Sequence, residues 1–162
     1  MAAFSATCIF CEDIREEKSG QDTIVGTLPD NININVENAP PSEKAKALLS
    51  KLGVYVRMNF DVHGGEPKQV AAKLIDSNGR LIAETIWPDS VIAKAFADSL
   101  ASDMPFVGLV FKVVAGPFPI SQEGGKISMV AIVDGIEKVI GALNVIVSSA
   151  SQPPAAQSPS VS

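Results

Sequence analysis

Residues 54–63 constrain the fold more than any other stretch of the chain. Val54, Val56, Met58, Phe60 and Val62 alternate with Tyr55, Arg57, Asn59, Asp61 and His63. Successive side chains of a strand point to opposite faces, so this pattern predicts a strand with one apolar and one wet face. Antiparallel sheets packed on one side have this character. Gly64-Gly65-Glu66-Pro67 ends the run.

The segments around it carry similar signals. Residues 4–12 form an apolar, β-branched run that predicts a first strand, and the charged stretch Asp13 to Gly20 predicts a turn or solvated strand end. Thr23 to Leu28 predicts a second strand, stopped by Pro29-Asp30-Asn31. Ile32, Ile34 and Val36 then alternate with Asn31, Asn33 and Asn35. Residues 68–76 and 80–86 read as strands around Ser77-Asn78-Gly79, where both Asn78 and Gly79 tolerate positive φ in a tight hairpin turn. Asp134-Gly135 gives the same signal between strands at 127–133 and 136–147. Residues 106–115 are apolar on both alternating faces, so that strand needs cover on each side.

Two stretches have helical spacing. Ser42 is an N-cap type, Glu43 suits a first turn, and Ala45, Leu48, Leu49 and Leu52 recur before Gly53, which predicts a helix over 42–52. Ile92, Ala95, Phe96, Ser99 and Leu100 share a face of a second helix over 89–101. The expected fold is therefore mostly β: an antiparallel β-sandwich of about eight strands with two peripheral helices. It occupies residues 1–147. Residues 148–162 hold only Ser, Ala, Gln, Pro and Val and are expected to form a disordered tail.

Charge and composition narrow the function. The formal net charge is -5, and the 13 Lys and Arg residues are scattered, so nucleic acid is disfavoured as a partner. No apolar run approaches the roughly 18–20 residues of a membrane span. Met1 to Thr7 lacks the basic and apolar regions of a signal peptide. A cytoplasmic protein is expected.

Chemistry-bearing residues are sparse. Cys8 and Cys11 are spaced as a redox pair, but they fall on a predicted strand, where residues three apart face opposite ways, and no second pair completes a zinc site. His63 is the one histidine and has no nucleophile in a recognisable setting. Gly124-Gly125-Lys126 runs into a strand rather than a helix, so it reads as a turn and not a phosphate loop. Trp87 reads as an anchor for the second helix. Glu12, Asp13, Glu16 and Glu17 form an acidic cluster, and Asp30, Asp61, Asp76 and Asp134 lie near loop edges. A calcium site needs about six to eight oxygens collected from several loops. Asp13, Asp61 and Asp134 are the metal candidates for that reading. No catalytic residue and no cofactor is assigned.

The opening Cys8-Ile9-Phe10-Cys11-Glu12-Asp13-Ile14-Arg15-Glu16-Glu17, then Gly20 and Ile24-Val25-Gly26, resembles the start of a family of uncharacterised bacterial proteins. Those open with Cys, an acidic residue, Asp, Ile or Val, Arg, any residue and Glu, followed by a turn and a strand ending in Gly. The Val133-Asp134-Gly135 hairpin is similar as well. The resemblance implies a β-sandwich-like domain of unknown function from a bacterium or phage, and it supplies no activity. From the residues themselves, Arg15 is placed to form a fork with a neighbouring carboxylate, and Gly26 to allow a bend. The expected function is a non-catalytic binding or assembly module acting through sheet faces or edges, with a protein partner or self-association. The alternative is a metal-dependent enzyme or a calcium-binding sandwich of the C2 type.

Overall fold

The computed structural model describes residues 4–36, 47–121 and 123–149. In chain order the elements are β1 (Phe4–Glu16), β2 (Asp22–Thr27), β3 (Asn31–Val36), β4 (Ala47–Leu49), β5 (Leu52–Asp61), β6 (Val70–Ile75), β7 (Leu81–Ile86), α1 (Asp89–Ala101), β8 (Phe106–Ala115), β9 (Phe118–Ile120), β10 (Gly125–Val133) and β11 (Ile136–Ser149). The chain is mostly β, with one helix among the described residues.

The strands form two larger sheets and a two-stranded one. Sheet one has the order β2-β1-β5-β8 and is antiparallel throughout. Sheet two has the order β3-β11-β10-β6-β7, and β3 lies parallel to β11. Strands β4 and β9 pair separately.

The alternation of 54–63 decides which way sheet one faces. Val54, Val56, Met58 and Phe60 are all 0% exposed, and with Phe10, Val107, Leu109 and Phe111 they supply sheet one's share of a single core. Sheet two contributes Val70, Ala72, Leu74, Ile127, Met129, Ala131, Leu143 and Val145. Burying a side chain the size of Phe60 contributes about 1.5–3 kcal/mol. Cys8 of β1 lies against Gly141 of β11, where a Cβ would come within 2.5 Å of the thiol sulfur. That glycine lets the two sheets approach closely.

Helix α1 joins the edge strand of sheet two, β7, to that of sheet one, β8. It buries Ile92 and Phe96, and the Phe96 ring sits 6.3 Å from that of Phe60. Trp87, just before the helix, meets Phe111 edge-on with centroids 6.3 Å apart. The expected stripe is thus half used: Leu100 remains 55% exposed.

Several expectations need correction. Of the helix expected over 42–52, residues 42–46 lie outside the described ones, and none of the remainder is helical: Ala47–Leu49 and Leu52 are strand, joined by Ser50 and Lys51. Ala47–Leu49 pairs with Phe118–Ile120, and Leu52 begins β5. The spacing of Leu48, Leu49 and Leu52 suits a helix face, but Leu49 and Leu52 enter the core on extended backbone while Leu48 stays 54% exposed. Pairing with a distant strand overrode a weak local preference. The two expected helices reduce to one among the described residues, and the about eight strands become eleven there, β4 and β9 being too short to read.

The turn at 77–79 also differs, since only Gly79 has positive φ, not Asn78. Asp76 shapes it instead, its carboxylate accepting from the amides of Asn78 and Arg80 at 2.9 Å each. At Asp134-Gly135 both residues do have positive φ, 49° and 79°. Strand β11 runs to Ser149, past the expected boundary at 147, and residues 150–162 lie outside the described ones.

Candidate functional site

The three metal candidates do not converge. Asp13 lies just beyond the Cys11–Gly53 pairing, at the start of β5, whereas Asp61 ends that strand. At ~3.3 Å per residue the two ends of β5 are about 30 Å apart. Each carboxylate also has structural work. Asp13 bonds Lys51 Nζ at 2.7 Å, and that hydrogen bond, more than any other cause, holds its pKa below the usual value. Asp61 accepts from the His63 amide at 2.9 Å. Asp134 accepts from the amides of Lys68 and Gln69 at 2.7 and 3.1 Å, fastening its turn to the loop between β5 and β6. Among the described residues no group of three or more His, Cys, Asp or Glu side chains is arranged to hold a metal.

The cysteines occupy opposite faces, as their spacing predicts. Cys8 points into the core, where burial pushes its thiol pKa up to about 12. Cys11 is on the other face of β1, its sulfur against Gly53 of β5, and burial raises its pKa too. Neither is a reactive thiolate, and both are free. His63 is exposed beside Gly64. The open concavity near it is lined by Gly64, Glu66, Lys68, Gln69 and Asp134, not by His63. Gly124 has φ of 81° and closes over the backbone of Val145, so this glycine pair is a tight turn packed against β11.

A more informative arrangement lies on the outer face of sheet one. Strand β1 pairs with β5 through residues 4–11 and with β2 mainly beyond them, so the β1–β2 hairpin overruns the end of β5. It does not project straight out. Gly26, opposite Glu12, has φ of 61°, and Ile14 packs against Gly53. The hairpin bends back until Glu16 and Asp22 reach Lys112 of β8, at 3.3 and 2.7 Å, across the intervening strand β5. The hydrogen bond to Asp22 is the main cause of the raised Lys112 pKa. Arg15 makes a single 3.5 Å contact to Asp13 rather than a fork.

Beside this hairpin runs an apolar stripe. On β8, Val107, Leu109 and Phe111 face the core, while Phe106, Val110 and Val114 face outward at 58%, 39% and 42% exposure. Helix α1 covers the core side and leaves the outer side open. Leu100, at the end of α1, and Met104, in the turn after it, are also exposed, at 55% and 53%. Gly108 interrupts the stripe, with the Arg57 guanidinium lying across the glycine, and so does Lys112, between Val110 and Val114.

Sequence reasoning found β8 and its two apolar faces. It missed Lys112, Glu16 and Asp22 as a group, because these residues are separated by about 90 positions and only the bend of the hairpin joins them. The positive φ of Gly26 is the one local signal of that bend. No family model matches the chain, and no curated protein matches it.

Proposed function

We propose that the chain is a non-catalytic binding or assembly module, a mostly antiparallel β-sandwich that docks a protein on the outer face of sheet one along β8. One observation carries this reading. Strand β8 is an edge strand with three outward, exposed apolar side chains, Phe106, Val110 and Val114. Contiguous exposed apolar surface on a folded chain marks an interaction site, and sheet faces and edges are common docking modes. The candidate carboxylates and cysteines are occupied with turns, ion pairs and packing, which supports a non-catalytic role.

A second copy of the chain is the first partner to test. Light scattering at low and high concentration should give a mass that rises for the unaltered chain and stays monomeric for Val110→Glu. The new charge would sit at the centre of the stripe, on an already exposed position. A monomer mass at both concentrations for the unaltered chain would exclude self-association and assign the stripe to a different protein.

A further inference from the structure

The hairpin that bends over sheet one has an unusual set of attachments. Beyond the Cys11–Gly53 pairing, β1 has, among the described residues, no strand partner in the body of the domain, only β2. What holds the hairpin down is Asp13 to Lys51 at 2.7 Å, Asp22 and Glu16 to Lys112 at 2.7 and 3.3 Å, and Ile14 against Gly53. Both lysines belong to the body, both are partly exposed, and these polar attachments are all ionic. Exposed ion pairs of this kind are weak and screened by salt. The hairpin itself is well knit: five pairings join β1 to β2, and Thr23 Oγ1 donates to Glu17 at 2.8 Å near the tip. It is therefore suited to move as a unit about Glu12 and Gly26, the position where the backbone takes a positive φ.

We propose that the β1–β2 hairpin is a hinged flap, latched by Lys51 and Lys112, that covers Cys11 and the Val114 end of β8 and is released as ionic strength rises. Cys11 is 0% exposed even though it lies on the outer face of the sheet, and Ile14 of the hairpin packs on the same glycine as its sulfur. A groove lined by Ile14, Glu16, Asp22, Lys112, Val113 and Val114 marks the seam between flap and body. Opening the seam uncovers the rest of Val114, already 42% exposed, at the C-terminal end of β8. The flap stands whether or not the stripe docks a partner.

Cys11 provides the readout. In a Cys8→Ala chain it is the sole thiol, and an aromatic disulfide reagent reports its exposure. The labelling rate should rise on the order of threefold between low and high salt. Lys112→Met should raise it at low salt and flatten the salt dependence. Lys94→Met, which removes the Lys94–Asp98 pair on α1, should change neither. Hydrogen exchange on the unaltered chain supplies a second measure: amides 12–26 should lose protection together with salt while those of β5 and β8 keep theirs. Labelling that ignores both salt and Lys112→Met, with hairpin amides exchanging only as fast as those of β5, would overturn the flap. It would show that the hairpin opens only on global unfolding.

Discussion

Placing a methyl group on Gly141 tests how closely the two sheets are fitted. An alanine Cβ there would stand 2.5 Å from Cys8 Sγ, 2.8 Å from Cys8 Cβ and 3.3 Å from Phe10 Cε2. The first two distances are about an ångström inside ordinary contact, and neither partner is a flexible chain end. Cys8 is fixed on β1 opposite Val56, and Gly141 on β11 opposite Met129, so relief requires a sheet to shift or Cys8 to leave its rotamer. Overpacking of this kind typically costs about 1–3 kcal/mol, and ~2 kcal/mol lowers the melting temperature of a domain this size by about 4–8 °C. Urea denaturation of Gly141→Ala should show a loss in that range with an unchanged slope. Cys8→Gly has its own cost, but in that background the methyl has room, and Gly141→Ala should then cost less than about half as much. The difference is the coupling measured by a double-mutant cycle. Equal costs in the two backgrounds would refute the close approach of Cys8 and Gly141 and the sheet packing inferred from it.

Other outcomes follow from the same geometry. Asp134→Ala removes the acceptor for two backbone amides and places Ala at φ of 49°, so it should cost about 1–3 kcal/mol by thermal melting, whereas Asp134→Asn should cost much less. Asp13 is held below the usual carboxylate value by Lys51, so its contribution is present above the unfolded-state pKa and lost as pH falls through the lower folded-state value. Asp13→Asn should flatten that part of the acid limb in pH-dependent melting. Calorimetric titration with calcium or zinc should give no saturable heat, since Asp13 and Asp61 lie at opposite ends of β5. Micromolar binding abolished by substituting either would revive the metal reading.

How much was legible depended on how local the cause was. The β5 strand was readable because each inward residue is apolar and each outward one polar. The Asp134-Gly135 turn was readable because two adjacent residues supply all of its backbone requirements. Strand β4 was not, because what makes Leu48 and Leu49 extended is a partner strand at 118–120. The Asp76 turn was half readable: Gly79 signals it, but the acceptor that shapes it lies two residues before Asn78. At the candidate surface, the apolar stripe was visible as a mostly apolar run through β8, broken on its outward face by Gly108 and Lys112. The ion pairs over it were not, since Glu16 and Asp22 look like ordinary solvated charge until Gly26 turns the hairpin.

The parallel pairing of β3 with β11 also sets the order in which the chain can fold. Asn31 pairs with Asn144, backbone and side chain, and Val36 pairs with Ser149. Strand β3 leaves the ribosome more than a hundred residues before its one neighbour in sheet two, the last strand described. Its alternating Ile residues must wait, unpaired, through more than a hundred residues of growing chain. Contacts this distant in sequence slow folding and prolong the exposure of open strand edges. Asn31, Asn33 and Asn35 are poor strand formers, and in a segment left open so long that reluctance is an advantage, since it weakens the pull toward a neighbouring nascent chain.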